Sequence, residues 1–455
     1  MLTLSRRGYI FNPPEEFSPT LLKEICKDLT VSPKENGFNS PTSFRLYFKS
    51  KKGEYIFPRY YGFKKFGKPE KELFTIGKDI DVKFKGELRP LQVEASKKVI
   101  EAFNHSGGGI LSLQTGHGKT ITALYCVSRL KLKTLVIVNR VELVHQWMRE
   151  INKFLSKEDG KEIKVSKIQG RKRDFSGDIV VSMINTISMG GFKPHQFNCF
   201  DLLIVDECHS VASQVFSSCL PLIRTPYTLG LSATPDRKDG LMKIIEWYMG
   251  DIVYKSTQQI QTTHDVEVKI IKYKPPSPYN VELYAYNGKP NMSGMLNRMA
   301  GHKERNDILI NLIKDALRDE KREILVLSDR KTQLKELNKA IGDESGLLTG
   351  DLKRSQQEES KKKRVILGTY QICGTGFDLP KLNTLILATP RGNIVQMIGR
   401  ILRKDHDICP MVYDIWDNFS LYKYMGTKRE KYYEKTKKME IEYLDYNKYL
   451  PDNDK

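Results

Sequence analysis

Short runs of consecutive apolar residues recur along the chain, and the stretches between them carry apolar positions at helical spacing. Residues 110–113, 134–138, 179–181 and 202–205, and the segment 227–231, read as strands in the first half; residues 324–327, 365–367 and 384–388 do so in the second. Apolar runs without alternation predict strands buried on both faces, as in parallel sheets. Helical patterns at 93–103, 120–130, 141–154, 304–317 and 332–341 fall between them. Strand alternating with helix predicts an α/β chain built on doubly wound parallel sheets. Ahead of these, a helix over 21–29, strand-like 44–49, a turn at 51–54 and a second aromatic strand predict a small α+β domain over 1–82. The expected organisation is therefore 1–82, a first α/β unit over 83–255, a connection or insert over 256–300, and a second α/β unit over 301–455. The connection rests on weak periodicity and on Lys274-Pro275-Pro276-Ser277-Pro278, a loop signal. From residue 421 the tail reads as a packed terminal helix with a basic outer face.

Composition adds a partner class. The 455 residues carry 75 basic and 55 acidic side chains, a net charge of +20. Such a surplus favours a polyanion, nucleic acid first, over a merely basic surface. Aromatics interleaved with Lys and Arg in 44–61 suit either base stacking or a small core, and a unit of this size needs most of them inside. No apolar run approaches the roughly 18 residues of a membrane span, and the first ten residues lack the apolar segment of a secretory signal. None of the seven cysteines forms a Cys-x-x-Cys pair, so no zinc site or disulfide framework is expected, and a reducing intracellular, cytoplasmic setting is.

The candidate chemistry lies at strand ends. After 110–113 comes Gln114-Thr115-Gly116-His117-Gly118-Lys119-Thr120, and a helix follows. Glycines let backbone N–H groups approach phosphate oxygens, Lys119 reaches the β- and γ-phosphates, and the Thr120 hydroxyl suits Mg²⁺. Leu113 stands where the usual pattern has its first glycine, so the loop alone is also compatible with an ordinary β–α turn. Asp206-Glu207 at the end of 202–205 sharpens the reading. Asp206 suits Mg²⁺ beside Thr120, and Glu207 suits a base for the attacking water. Gln92, ahead of the loop, offers both the donor and the acceptor an adenine edge requires. Gln396, Arg400 and Arg403 suit a triphosphate, the arginines neutralising the transferring phosphoryl group; an isolated Arg-x-x-Arg would otherwise read as a solvated helix face.

In order, these segments resemble the motifs of superfamily 2 helicases across residues 85–420. The Leu88-Arg89-Pro90-Leu91-Gln92 opening resembles the adenine-reading motif, 114–120 motif I, 135–140 motif Ia, and Asp206-Glu207-Cys208-His209 motif II. Ser232-Ala233-Thr234 resembles motif III, 324–330 stands in place of motif IV, 374–378 matches motif V, and Gln-x-x-Gly-Arg-x-x-Arg from Gln396 matches motif VI. Within the superfamily the chain is most similar to the XPB, poxvirus transcript-release and phage UvsW-type group, with Lys238 where the XPB Arg-Glu-Asp element has Glu. The resemblance implies two RecA-like lobes clamping ATP and Mg²⁺. Arg89, Gln92, Thr115, Gly116, His117, Gly118, Lys119, Thr120, Gly376 and Asp378 would bind the nucleotide. His209, Ser232 and Thr234 would couple the motifs, and Arg140, Thr186, Thr369 and Thr375 would touch the nucleic-acid backbone. It implies a monomeric motor on duplex or branched DNA, with no membrane partner, in the host cytoplasm if viral. A transcript-release or RNA-directed motor is the alternative. Residues 378–396 leave no room for a long strand-separating hairpin, so a wedge is expected from 1–80 or 273–300.

Overall fold

A computed structural model describes residues 2–31, 43–114, 116–170, 172–211, 219–233, 242–256, 265–374, 379–402 and 406–450. It divides into two units, Met1–Thr257 and Gln258–Lys455.

The first unit holds an eight-stranded sheet. Its strands run, edge to edge, Lys172–Arg173, Val165–Gln169, Ile179–Met183, Thr134–Val138, Leu202–Val205, Tyr227–Ser232, Gly108–Ser112 and Ile252–Lys255. All neighbours are parallel except the first pair. The runs 134–138 and 202–205 are buried at every position, as two covered faces require. One face packs on helices Pro90–Ser106, Lys119–Leu130 and Val141–Phe154 through Val99, Phe103, Leu124, Val127 and Trp147. The other carries Ile187, Phe197, Phe200 and Ile245.

The N-terminal residues do not stand apart. Their five-stranded sheet (Phe48–Lys49, Tyr55–Phe57, Gly8–Phe11, Leu2–Ser5, Lys71–Leu73) shares a core with the α/β unit. Leu4, Tyr9, Phe57 and Tyr61 pack with Ile244 and Trp247 of helix Met242–Met249. Arg6 reaches Asp201 at 2.5 Å and the Phe200 carbonyl at 2.8 Å, while Tyr60 and Thr228 hydroxyls meet at 2.8 Å. These contacts sit at the N-terminal ends of strands Leu202–Val205 and Tyr227–Ser232. Most of the aromatics are internal, with Phe48 half exposed.

The second unit is a seven-stranded, all-parallel sheet: Ser345–Leu348, Val365–Thr369, Ile324–Ser328, Thr384–Leu387, Met411–Asp417, Val266–Tyr273 and Met439–Leu444. Val266–Tyr273 corrects the expected connection over 256–300. It is an inner strand, paired along its length with two C-terminal strands. The helix Met292–Ala300 belongs to the same unit. The terminal helix is present as Ser420–Lys435, and the strand after it was not foreseen. Two buried bidentate pairs, Arg305–Asp417 and Arg429–Asp414, tie helices to the strand Met411–Asp417.

Candidate nucleotide site

Parallel strands put all their C-terminal ends on one rim, where open α/β sheets bind ligands. In the first unit the candidate residues line that rim in strand order. Thr186 follows Ile179–Met183, Arg140 follows Thr134–Val138, Asp206 and Glu207 follow Leu202–Val205, Ser232 ends its strand, and the glycine loop follows Gly108–Ser112.

The loop geometry depends on two glycines. Gly116 and Gly118 have φ of +88° and +80°, where a side chain is strained. At Gly118 a Cβ would also stand 2.0 Å from the Gln92 amide nitrogen. Helix Lys119–Leu130 begins directly after Gly118, aiming its unpaired N–H groups and positive dipole end at the loop. Thr120 is half-buried on its first turn.

A closed ring of contacts joins the loop to the acidic pair. Lys119 Nζ lies 3.5 Å from Glu207 Oε1 and donates to the Leu113 carbonyl at 3.3 Å. Leu113 N–H donates to the Ser232 carbonyl at 3.1 Å. The Ser232 hydroxyl is 2.9 Å from His209 Nδ1, which is 3.4 Å from Glu207 Oε2. Glu207 itself has φ +49°, an uncommon conformation outside glycine that points its side chain into this ring. A change at Lys119 or Glu207 therefore reaches Ser232 in few steps.

Asp206 is 5% exposed. Its Oδ2 accepts from the Trp147 indole N–H at 2.9 Å, and its Oδ1 accepts from Glu207 N–H at 2.9 Å. Burial, then the Glu207 charge, push its carboxyl up to about 6, against Lys119 and the Trp147 hydrogen bond, which lower it. Each oxygen keeps a lone pair, and hard oxygen donors of this kind fit Mg²⁺. Among the described residues no group of three His, Cys, Asp or Glu side chains gathers to hold a metal. Trp147 is a contact of Asp206 that the sequence does not reveal; in sequence it is one more apolar position on an amphipathic helix.

Gln92 is buried, with its Oε1 accepting from Arg89 N–H at 2.8 Å and its Nε2 donating to the His117 carbonyl at 3.3 Å. Each end of the amide retains one further bonding position. Arg89 is exposed at the helix start. Burial, together with the Arg89 and Lys119 charges, lowers the His117 imidazole below its ordinary value.

In the second unit Arg400 is buried, and its Nη2 donates to the Gly374 carbonyl at 2.5 Å, joining the expected motifs V and VI. Gln396 is half-buried one turn earlier on helix Val395–Ile401. Thr369 ends its strand, with its hydroxyl accepting from Ile372 N–H at 3.4 Å. Thr115, Thr234, Thr375, Gly376, Asp378 and Arg403 lie outside the described residues, as does the Arg237-Lys238-Asp239 step.

Residues 85–237 match the family model described as type III restriction enzyme, res subunit, and residues 304–405 match the helicase conserved C-terminal domain. A putative ATP-dependent RNA helicase of Acanthamoeba polyphaga mimivirus is 34% identical over 95% of this chain and 85% of its own length. DNA 3'-5' translocase XPB2 of Sulfurisphaera tokodaii is 31% identical over 63% of this chain and 61% of its own. Among solved structures, S. cerevisiae Dbp5 bound to RNA and ADP BeF3 aligns with a TM-score of 0.55 at 12% identity, covering 80% of this chain and 95% of that one. That likeness concerns the fold.

Proposed function

The chain belongs to the superfamily 2 helicases, in the XPB, UvsW and poxvirus group, and from that premise we propose that it is an ATP-driven DNA motor that unwinds and branch-migrates forked or four-way junctions. The observation that carries the enzyme reading is the closed ring of Lys119, Glu207, His209, Ser232 and Leu113, which links phosphate binding to a neighbouring strand end. In this reading the loop amides from Gly116 to Thr120 hold the phosphates and Lys119 neutralises the β- and γ-oxygens. Glu207 takes the proton of the attacking water. Asp206 and the Thr120 hydroxyl would hold Mg²⁺, which would supply charge neutralisation at the phosphates. Gln92, beside Arg89, reads the adenine edge. Within the second unit, Gln396, Arg400 and Arg403, with Gly376 and Asp378, are assigned to ATP binding and hydrolysis. Arg140 and Thr186 neighbour each other on one rim, since Val138 and Met183 are register partners. We assign them, with Thr369 and Thr375, to the nucleic-acid backbone.

Nucleic acid is favoured by the +20 charge, and DNA by the XPB-type relative named as a DNA translocase. The mimivirus relative is named as an RNA helicase, and an RNA-directed motor is the second reading. ATP hydrolysis measured with duplex, forked DNA, a four-way junction, single-stranded DNA and RNA separates the two. Strongest stimulation by forks and junctions, with branch migration alongside, is the expected result. Preference for RNA, or indifference to branching, overturns the DNA reading.

A further inference from the structure

A cleft of about 430 Å3 opens in the second unit. Its apolar lining is Met292, Leu296, Tyr422 and Met425, of which Met292 and Met425 are accessible; its polar lining includes Arg330, Arg391 and Asn393. It lies on the C-terminal rim of the sheet. Ser328 is the register partner of Thr369, and Asp329 and Arg330 at the cleft are the next residues along. Thr369 and the cleft residues Asp329 and Arg330 therefore stand at the ends of adjacent, hydrogen-bonded strands.

The cleft is built rather than incidental. Arg330 donates to the Ser293 carbonyl at 3.1 Å and hydroxyl at 2.9 Å, and to Asn297, fastening helix Met292–Ala300 to the sheet end. Arg391 holds Asp329 through two bonds, at 2.8 and 3.2 Å, and lies over the Tyr370 ring. Asp329 N–H donates to the Thr389 hydroxyl at 2.9 Å, and the Arg391 carbonyl accepts from Arg429 at 2.8 Å. Both walls are thus fixed before any ligand arrives, which lowers the entropic cost of binding.

We infer that this cleft captures one unstacked base of a single strand whose backbone passes Thr369. A base has two apolar faces and a polar edge. The accessible methionines Met292 and Met425, with Tyr422 buried beneath them, match the faces, and methionine adapts to purine or pyrimidine alike. The guanidinium and amide lining matches the edge and the adjoining phosphate. A volume of this order suits a small planar ligand. The apolar lining carries no fixed hydrogen-bond pattern for one base, so capture is sequence-independent, as a motor that moves along any strand requires. Base capture gives the second unit a grip on the strand separate from backbone contacts. The inference rests on the reading that a single strand crosses this unit.

Gly392 supplies the test. A Cβ there meets only Met425 Cγ at 3.8 Å and Lys428 Cδ at 3.7 Å, ordinary contact distances, so Gly392→Leu fills the cleft from its edge. Affinity is measured for an oligothymidine tract and for an abasic tract of equal length, as DNA and as RNA. Wild type is expected to prefer the intact DNA tract about ten-fold, in line with base stacking. Gly392→Leu is expected to lose most of that preference while binding the abasic tract as wild type does. A variant that keeps the full preference overturns the inference. Should the variant not fold, 5-iododeoxyuridine strands crosslinked to wild type are expected to mark Met292 or Met425, and crosslinks confined elsewhere overturn it. A base preference seen only with RNA keeps the cleft and moves the strand to RNA. Failure of wild type to bind any strand would instead sink the nucleic-acid reading beneath it.

Discussion

At the scale of single residues, the proposal gives the two members of the acidic pair different roles, and their environments differ accordingly. Glu207 faces Lys119 at 3.5 Å, so Glu207→Gln keeps the side chain's size and loses its basicity. ATP binding is expected to persist while hydrolysis falls at least about a hundred-fold, the range for removal of a general base; turnover at the wild-type rate in a coupled assay would remove Glu207 from that role. Asp206 is tuned by Trp147. If Asp206 holds Mg²⁺ as proposed, then with its carboxyl pushed up to about 6 a proton and Mg²⁺ compete for it as pH falls through that value. The Mg²⁺ needed for half-maximal ATPase is therefore expected to rise on acidification. The Trp147 hydrogen bond lowers the value, so Trp147→Phe moves this rise to higher pH and weakens Mg²⁺ about ten-fold near neutrality. Superimposable Mg²⁺ titrations of the two proteins, at neutral and acid pH, would refute it. Lys119, Asp206 and Glu207 were legible in sequence because strand, turn and charged residue are contiguous there. Trp147 was not, because its partner lies 59 residues away and local pattern marks it only as core.

At the scale of elements, the start of helix Pro90–Ser106 serves two ends. Gln92 caps the helix by accepting from Arg89 N–H and steadies the phosphate loop by donating to the His117 carbonyl. Gln92→Glu keeps the capping acceptor, which the helix N-terminus tolerates as an anion, and loses the donor. Thermal stability is expected to hold while the KM for ATP rises about ten-fold, the cost of one unmade hydrogen bond to a buried partner. Equal KM values would show that the donor matters to neither loop nor base. The same paired reading explains what the pattern left hidden in the second unit. Val266–Tyr273 alternates buried and half-buried positions over much of its length and is recognisable as a strand by itself. Its partners, Met411–Asp417 and Met439–Leu444, lie over a hundred residues downstream. Local periodicity gives an element's type, whereas parallel pairing over that distance is decided by the packed sheet. The adjoining Pro-rich loop at 274–278 then made the strand look like part of a connection.

For the whole molecule, the decisive fact is that residues 1–82 share a core with the first α/β unit. Removing them strips Tyr9, Phe57 and Tyr61 from Ile244 and Trp247 and takes Arg6 from the almost fully buried Asp201 carboxylate. A chain beginning at residue 83 is expected to unfold at lower temperature and to aggregate, since it exposes an apolar face and leaves a buried charge unpaired. A truncated protein as stable as the full chain in thermal unfolding would contradict the shared core. Deletion is thus a poor probe of what this region does to nucleic acid, and charge reversal is a cleaner one. Lys49, Lys51 and Lys52 are exposed around the hairpin between Phe48–Lys49 and Tyr55–Phe57, with Lys49 over the Tyr55 ring. None of the three belongs to the shared core. Reversing all three to Glu leaves the fold intact and, if the N-terminal sheet grips DNA, weakens fork binding in a salt-dependent way. Every lysine–phosphate pairing that is removed makes the plot of log affinity against log salt shallower by about 0.9, so a slope shallower by roughly 2 to 3 units is expected. An unchanged slope, with fork unwinding at the wild-type rate, would remove this hairpin from the DNA path and leave residues 273–300 as the place to look for the strand-separating element.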